Sequence, residues 1–239
     1  MVLPELERLS SNKSNAGPTV ISEVSAGSTA LSLAYYAQKF GFGCHLFVPD
    51  TIDPASRLKL LAFDAVLTEC HPATAYSDYE IFCGRNSTYR FDQMVKKELR
   101  NHYIAWAETN LTAQLPQPLS CVMGAVGTGH SLLGISMALQ PACGSVSAEP
   151  LPHEAVQGVR NLSALSFGKN DPCEVDLISR RLEIDSAAYF KNSQLEASCG
   201  LIHISDSFRL TLGAAVKYLR EESKPAAVFL VGSHCRRSE

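Results

Sequence analysis

Residues Val126-Gly127-Thr128-Gly129-His130-Ser131 constrain this chain more than any other stretch. An apolar run, Cys121 to Ala125, precedes them, and Leu132 to Met137 follow at helical spacing. The pattern reads as strand, glycine turn and helix. Glycines let backbone N–H groups approach an anion closely, and a helix start adds the positive end of its dipole. The segment is therefore a phosphate cradle or a plain tight turn. A short Gly-x-Gly does not decide between them.

The rest of the chain alternates in the same way. Residues 1–18 have loop composition and are expected to form a flexible N-terminal segment. Val20-Ile21 reads as a short strand. Leu31, Ala34, Ala37 and Phe40, with Leu33 alongside, give a helix with one apolar face. Cys44 to Pro49 is a buried strand, Pro54 opens a further helix through Leu61, and Ala65 to Leu67 is another strand. Tyr76 to Cys83 and His102 to Leu115 are expected helices. Gly144 to Pro150 is a strand, and residues 151–173 are loop-rich. Val175 to Ile184 is expected to be extended. Ser186 to Glu196 and Ser207 to Glu222 are expected helices, and Ala226 to Val231 closes the pattern as a strand. Strands alternating with helices imply α/β architecture with parallel sheets.

Composition narrows the classes of function. Of 239 residues, 46% are hydrophobic and 19% charged, which fits a globular chain with a real core. A net charge of -3 gives no electrostatic case for nucleic acid or an anionic membrane. No apolar run approaches the roughly 20 residues of a spanning helix. Glu5 and Glu7 stand where a signal peptide would need an apolar core, so none is expected. The eight cysteines are scattered without a C-x-x-C pair, which suggests buried thiols in a reducing, cytoplasmic setting. No histidine or cysteine spacing supports a metal site.

Taken in order, the motifs resemble those of the pyridoxal-phosphate (PLP) enzymes of fold type II, the cysteine synthase and tryptophan synthase β superfamily. Glu23 to Ala30 resembles the substrate loop E-P-T-S-G-N-T-G, and Phe47 to Asp50 and Arg57 to Leu61 follow as in the family. Gln93, then His102-Tyr103, resemble its Q-F…H-Y segment. Gly127, Thr128, Gly129, His130 and Ser131 resemble the phosphate loop G-T-G-G-T. Ala148-Glu149-Pro150 resembles V-E-P, and His153 with Gln157-Gly158 resembles the H-x-x-x-G loop over the active site. Gly200 to Ala214 resembles the segment that meets the pyridine nitrogen. The resemblance implies two lobes, residues 19–100 and 101–239, with a ligand cleft between them. It also implies that the family's first strands are missing, an N-terminal truncation that would expose sheet edges. A homodimer, or a rearranged packing, is expected to cover them.

Several residues depart from the family pattern. The S-x-K-D-R segment, whose lysine forms the Schiff base, has no full counterpart. Ser11 to Asn15 is the only remnant, with Lys13 as an alternative Schiff-base residue or a solvated tail residue. The asparagine that meets the cofactor's ring hydroxyl is Ser28. The second glycine of the G-G pair is His130, and the pyridine-nitrogen segment reads Ser205-Asp206-Ser207-Phe208-Arg209.

No catalytic PLP is therefore expected, except in the reading that uses Lys13 for β-elimination or β-replacement. The leading expectation is a PLP-independent lyase, isomerase or cyclase acting on a small organic substrate. His130 would act as acid/base, assisted by Ser28. Ser25, Gly27 and Thr29 would bind a carboxylate or carbonyl oxygen, and His153, Gln157 and Gly158 would close over it. Against these stand plainer roles: a surface or packing histidine at His130, helix capping for Ser25 or Ser28, loop surface for His153 and Gln157. Glu149 reads as a histidine partner or a strand end, and His234-Cys235 as unrelated neighbours. A third reading is a noncatalytic paralogue that binds a metabolite or a partner.

Overall fold

The computed structural model describes residues 1–11, 20–115, 119–140, 143–164, 171–185, 204–222 and 227–232. The chain forms two compact units, Met1–Lys96 and Lys97–Glu239. Lys13, the Ser186 to Glu196 helix, Gly200 to His203 and His234-Cys235 lie outside the described residues.

The first unit opens with helix α1, Val2–Ser11, so the flexible segment expected over residues 1–18 is corrected for these residues. Val2, Glu5 and Leu6 are buried, and α1 packs against α2. Loop-like serines at 10 and 11 hide this in the sequence, but Leu6 and Val2 lie four residues apart on one face. The parallel sheet runs β3-β2-β1-β4, with β1 Val20–Val24, β2 Gly43–Pro49, β3 Val66–Cys70 and β4 Tyr89–Arg90. Val20 pairs with Gly43 and His45 with Val66. Helix α2, Ser28–Phe40, lies on β1 and β2. Its buried face is Ala30, Leu33, Ala34 and Ala37, while Leu31 is turned outward. Leu33, Ala34 and Ala37 are thus buried as expected, while Ala30 takes the place expected for Leu31 and Phe40 is only half-buried. Gly41, at φ 69°, ends α2 in the left-handed conformation.

Helix α3, Pro54–Leu61, starts on Asp53, whose side chain accepts the Ser56 N–H at 2.9 Å. Helix α4, Ala75–Arg85, covers the other face of the sheet, where Tyr79 and Ala75 meet Phe47 and Cys70. The two-residue β4 escapes a sequence reading because its alternation is too short to register.

The second unit holds the parallel sheet β7-β6-β5-β8, with β5 Cys121–Ala125, β6 Gly144–Pro150, β7 Arg180–Ile184 and β8 Val228–Val231. Helices α5, Asn101–Asn110, and α6, His130–Leu139, bury Ala107, Leu132 and Leu133 against Val122 and Val126. Helix α7, Asp206–Glu221, sets Leu210, Ala214 and Ala215 against Cys121, Met123, Val146 and Ala148 on the opposite face. Alternate β5 residues thus point to opposite layers, as a sheet covered on both faces requires. The segment expected to be extended from Val175 begins instead as a 3₁₀ turn, Val175–Leu177, before β7.

Candidate functional site

In each unit the first parallel strand ends in a loop that opens a helix. In the first unit this loop is Val24 to Ser28. The Ser25 N–H donates to the Phe47 carbonyl at 3.1 Å, which fixes the loop to the end of β2. Gly27 is the N-cap of α2, in extended conformation and without a side-chain cap bond. The expected capping by Ser25 or Ser28 is therefore corrected. Ser28 is already the first helical residue and is exposed, and the Ser25 hydroxyl accepts only the Gly27 N–H, at 3.4 Å. The first-turn N–H groups of a helix have no acceptor within the helix. Space above Gly27 is open, since an added Cβ would meet nothing within 4 Å.

Sequence reasoning missed what holds this loop. Glu23 is almost wholly buried at the end of β1. Its carboxylate accepts the Val24 N–H at 2.8 Å and the Gln93 N–H at 2.9 Å. The Gln93 side-chain carbonyl accepts the Thr29 hydroxyl at 2.7 Å. Thr29 is thus fixed by Gln93, and Gln93 by Glu23. Burial pushes the Glu23 carboxyl up to about 8, against the lowering effect of the two N–H bonds and of Lys96. Asp92, with φ 52°, accepts the Tyr79 hydroxyl at 2.7 Å and brings Gln93 into place. The signal was in the sequence: an acidic residue inside an apolar strand, followed by a distant glutamine.

In the second unit the loop is Val126 to Gly129. Gly129 is the N-cap of α6 at φ 81°, again without a side-chain cap bond. The Thr128 hydroxyl accepts the His130 N–H only at 3.4 Å. The glycines are also forced by close approach. A Cβ on Gly127 would sit 2.6 Å from the Gly158 carbonyl oxygen, and one on Gly129 would sit 2.9 Å from Cys173 Sγ. Arg160 clamps the turn from behind: its Nε donates to the Gly127 carbonyl at 2.7 Å and its backbone N–H to the Val126 carbonyl at 2.9 Å. The Arg160 guanidinium is paired with the Asp171 carboxylate, which also accepts the Cys173 N–H at 2.9 Å. Arg160, Asp171 and Cys173 belong to a stretch read from sequence only as loop.

His130 is the first residue of α6 and is buried, so it is not a surface histidine. Ser131 follows it, half-buried. Gly158, at φ 74°, is brought against Gly127, whereas His153 and Gln157 are exposed on the same connection. Ser205 caps α7 by accepting the Phe208 N–H at 3.2 Å and meets the Ser207 hydroxyl at 2.9 Å. Glu149 is neither a histidine partner nor a bare strand end. It is fully buried and accepts Arg181 through both oxygens at 2.7 Å, with Ser147 and the Leu162 N–H as further donors. Burial works to raise its carboxyl, but Arg181 and the other donors hold it below the ordinary range. Among the described residues no group of histidine, cysteine and carboxylate side chains could hold a metal ion.

The Gly127–Ser131 turn fits the phosphate of a cofactor such as PLP: it opens a helix whose start has no side-chain cap bond. The described lysines do not supply the imine partner. Lys39 and Lys59 lie on α2 and α3, and Lys96 rests over the Tyr89 ring. Lys97 is paired with Glu174, and Lys217 donates to the Glu183 carbonyl. None stands in either loop. The turn of the second unit therefore fits the phosphate, and no described lysine stands within it.

A fold of two parallel α/β units, each with a glycine loop at a strand end, defines the class, and comparison with known proteins gives the family. The family model "Pyridoxal-phosphate dependent enzyme" matches residues 5–171, and the chain belongs to that family. No curated protein matches it in sequence. Among solved structures it is similar to an O-ureido-L-serine synthase, with TM-score 0.82 and 16% identity over 98% of this chain and 77% of that one. It is also similar to a hydrogen sulfide-producing enzyme from Fusobacterium nucleatum, with TM-score 0.80 and 18% identity over 98% and 75% of the two chains. An O-acetylserine dependent cystathionine beta-synthase from Helicobacter pylori gives TM-score 0.78 and 17% identity, covering 98% of this chain and 79% of that one. At these identities the likeness is one of fold.

Proposed function

We propose that this protein is a cysteine synthase-like enzyme that acts on a small amino-acid-like organic acid without forming a cofactor imine. The observation that carries the reading is the start of α2: an uncapped helix N-terminus with open space above Gly27, held rigid through Thr29 and Gln93. Such a start favours a carboxylate, with Ser25, Gly27, Ser28 and Thr29 supplying hydroxyl and N–H donors. The similar structures whose names include a serine derivative support an amino-acid-like substrate. His130 is the proposed acid/base group for a lyase, isomerase or cyclase step, a role that imidazole side chains commonly fill. His153 and Gln157, exposed on the connection that follows β6, are proposed ligand contacts of the second unit.

PLP, when bound, would supply an electron sink for carbanion chemistry, and Gly127 to Ser131 would hold its phosphate. Family membership favours a second reading, β-elimination or β-replacement with Lys13 as the imine residue. A cytoplasmic homodimer is part of the proposal. Among the described residues no helix is long and apolar enough to cross a membrane. A monomeric mass at micromolar concentration would contradict the dimer.

The test is titration of O-acetyl-L-serine into the protein without added cofactor, followed by amide NMR. Shifts at residues 24–29 are expected, and Gly27→Val is expected to weaken binding at least roughly tenfold by filling the approach. No shift there, or equal binding by the variant, would contradict the reading.

A further inference from the structure

The first unit also contains a half-open pocket of about 320 Å³ at the amino ends of its strands. Val20, Val66, Phe82, His45, Asn86 and Thr88 form its main surfaces, Val66 and Asn86 being exposed at its rim, and none of the described lining residues is charged. It lies at the opposite end of β1 from the Ser25–Thr29 loop. Five residues of strand separate the two, roughly 16 Å at the usual rise per residue.

The walls are preformed. The Thr88 hydroxyl donates to the Val20 carbonyl at 3.0 Å and meets the Ser22 hydroxyl at 3.0 Å. The Asn86 side-chain amide donates to the Phe82 carbonyl at 2.8 Å. The His45 ring packs on Phe82 with centroids 4.2 Å apart and stacks on Phe47 at 5.1 Å. Its Nε2 bonds the Thr68 hydroxyl at 2.8 Å, so Nδ1 is the ring nitrogen left for a ligand. Burial lowers the proton affinity of the imidazole. Neither cation nor anion finds a partner in such a site, and desolvating a charged ligand would be costly. An aromatic wall facing valines suits a flat ring, which gains edge-to-face contacts. A cavity of roughly 150 Å³ holds benzene, so this one has room for one or two rings.

We propose that this cavity is a second ligand site, taking a small neutral aromatic molecule whose single polar group bonds His45 Nδ1. Its occupation is independent of the carboxylate loop.

Phenol and benzene, titrated into the full chain and followed by amide NMR, test it. Phenol is expected to shift residues 20, 43–45, 66 and 86–88. Val66→Trp and Ser87→Trp, which fill the cavity from two sides, are each expected to lose phenol binding while keeping the spectrum of the fold. His45→Leu is expected to weaken phenol about fivefold and leave benzene unchanged, as the loss of one hydrogen bond requires. Shifts elsewhere, or a folded filling variant that binds phenol like the parent, would overturn the proposal. Equal loss of phenol and benzene in His45→Leu would overturn the role of Nδ1.

Discussion

One carboxylate oxygen of Glu23 accepts the backbone N–H of Gln93 at 2.9 Å, while the other accepts the N–H of Val24. A charge-bearing group, almost wholly buried, therefore joins the end of β1 to a segment 70 residues away. The same segment fixes Thr29 at the start of α2.

The burial of Glu23 makes stability depend on pH. The Glu23 carboxyl lies near 4.5 when free and at about 8 in the fold, mainly through burial. Between those values the native state holds a proton that the unfolded chain has released, so its contribution falls as pH rises through the window. Asp92 adds to the upward push and Lys96 opposes it. The urea midpoint is expected to drop from pH 6 to pH 9, more steeply than in Glu23→Gln. A Glu23→Gln profile parallel to that of the parent would contradict this. The variant itself is expected to lose about 1–3 kcal/mol, because an amide cannot accept both N–H groups.

Two left-handed glycines of the second unit should respond differently to alanine. Gly129 combines φ 81° with Cys173 Sγ 2.9 Å from the new Cβ, and Gly158 has φ 74° with open space around it. Gly158→Ala is expected to cost about 1–2 kcal/mol, the price of the conformation alone. Gly129→Ala should cost more, and Cys173→Ala should recover part of the excess. Equal losses in a denaturation series would mean that the contact with Cys173 is not felt.

Arg181→Met should be among the most damaging single changes. It strands the fully buried Glu149 carboxylate without its bidentate partner, a loss of about 3 kcal/mol. Because the Glu149 carboxyl is held low in the fold, its contribution is present at neutral pH and is lost as pH falls below the ordinary carboxylate range. The double change with Glu149→Met is expected to be less harmful than the single one. Additive losses would show that the two side chains do not act as a pair.

Much of this fold was legible in the sequence because its signals are local. The apolar run Cys121 to Ala125, the glycines at 127 and 129 and the spacing from Leu132 mark β5, its turn and α6 without any tertiary information. Helix α1 was missed because the serines at 10 and 11 and the loop-like residues after them masked a two-turn apolar stripe. One position on the buried face of α2 was misplaced because Leu31 looks like core and Ala30 does not, yet sheet contact selects the small residue. At the candidate site the loops were visible, but their supports were not. Glu23 to Gln93, Arg160 to Gly127 and Glu149 to Arg181 are separated by 70, 33 and 32 residues, and no periodicity records such pairs.

His130 distinguishes packing from chemistry. As a buried first residue of α6, its replacement by alanine leaves a cavity and is expected to lower stability by about 1–3 kcal/mol. A proton-carrying role adds a second expectation: turnover of the substrate should fall at least roughly 100-fold while binding at the α2 loop is retained. Loss of stability with unchanged turnover would leave His130 as a packing residue only.

The most direct test of the central claim is the absorbance spectrum of the purified protein with added pyridoxal phosphate, before and after borohydride, followed by peptide mapping. The phosphate turn without an imine partner among the described residues leads to an expected spectrum of free cofactor and no lysine-linked adduct. A reducible imine band that maps to Lys13 would contradict the account and make the protein a cofactor-dependent enzyme of its family's usual kind.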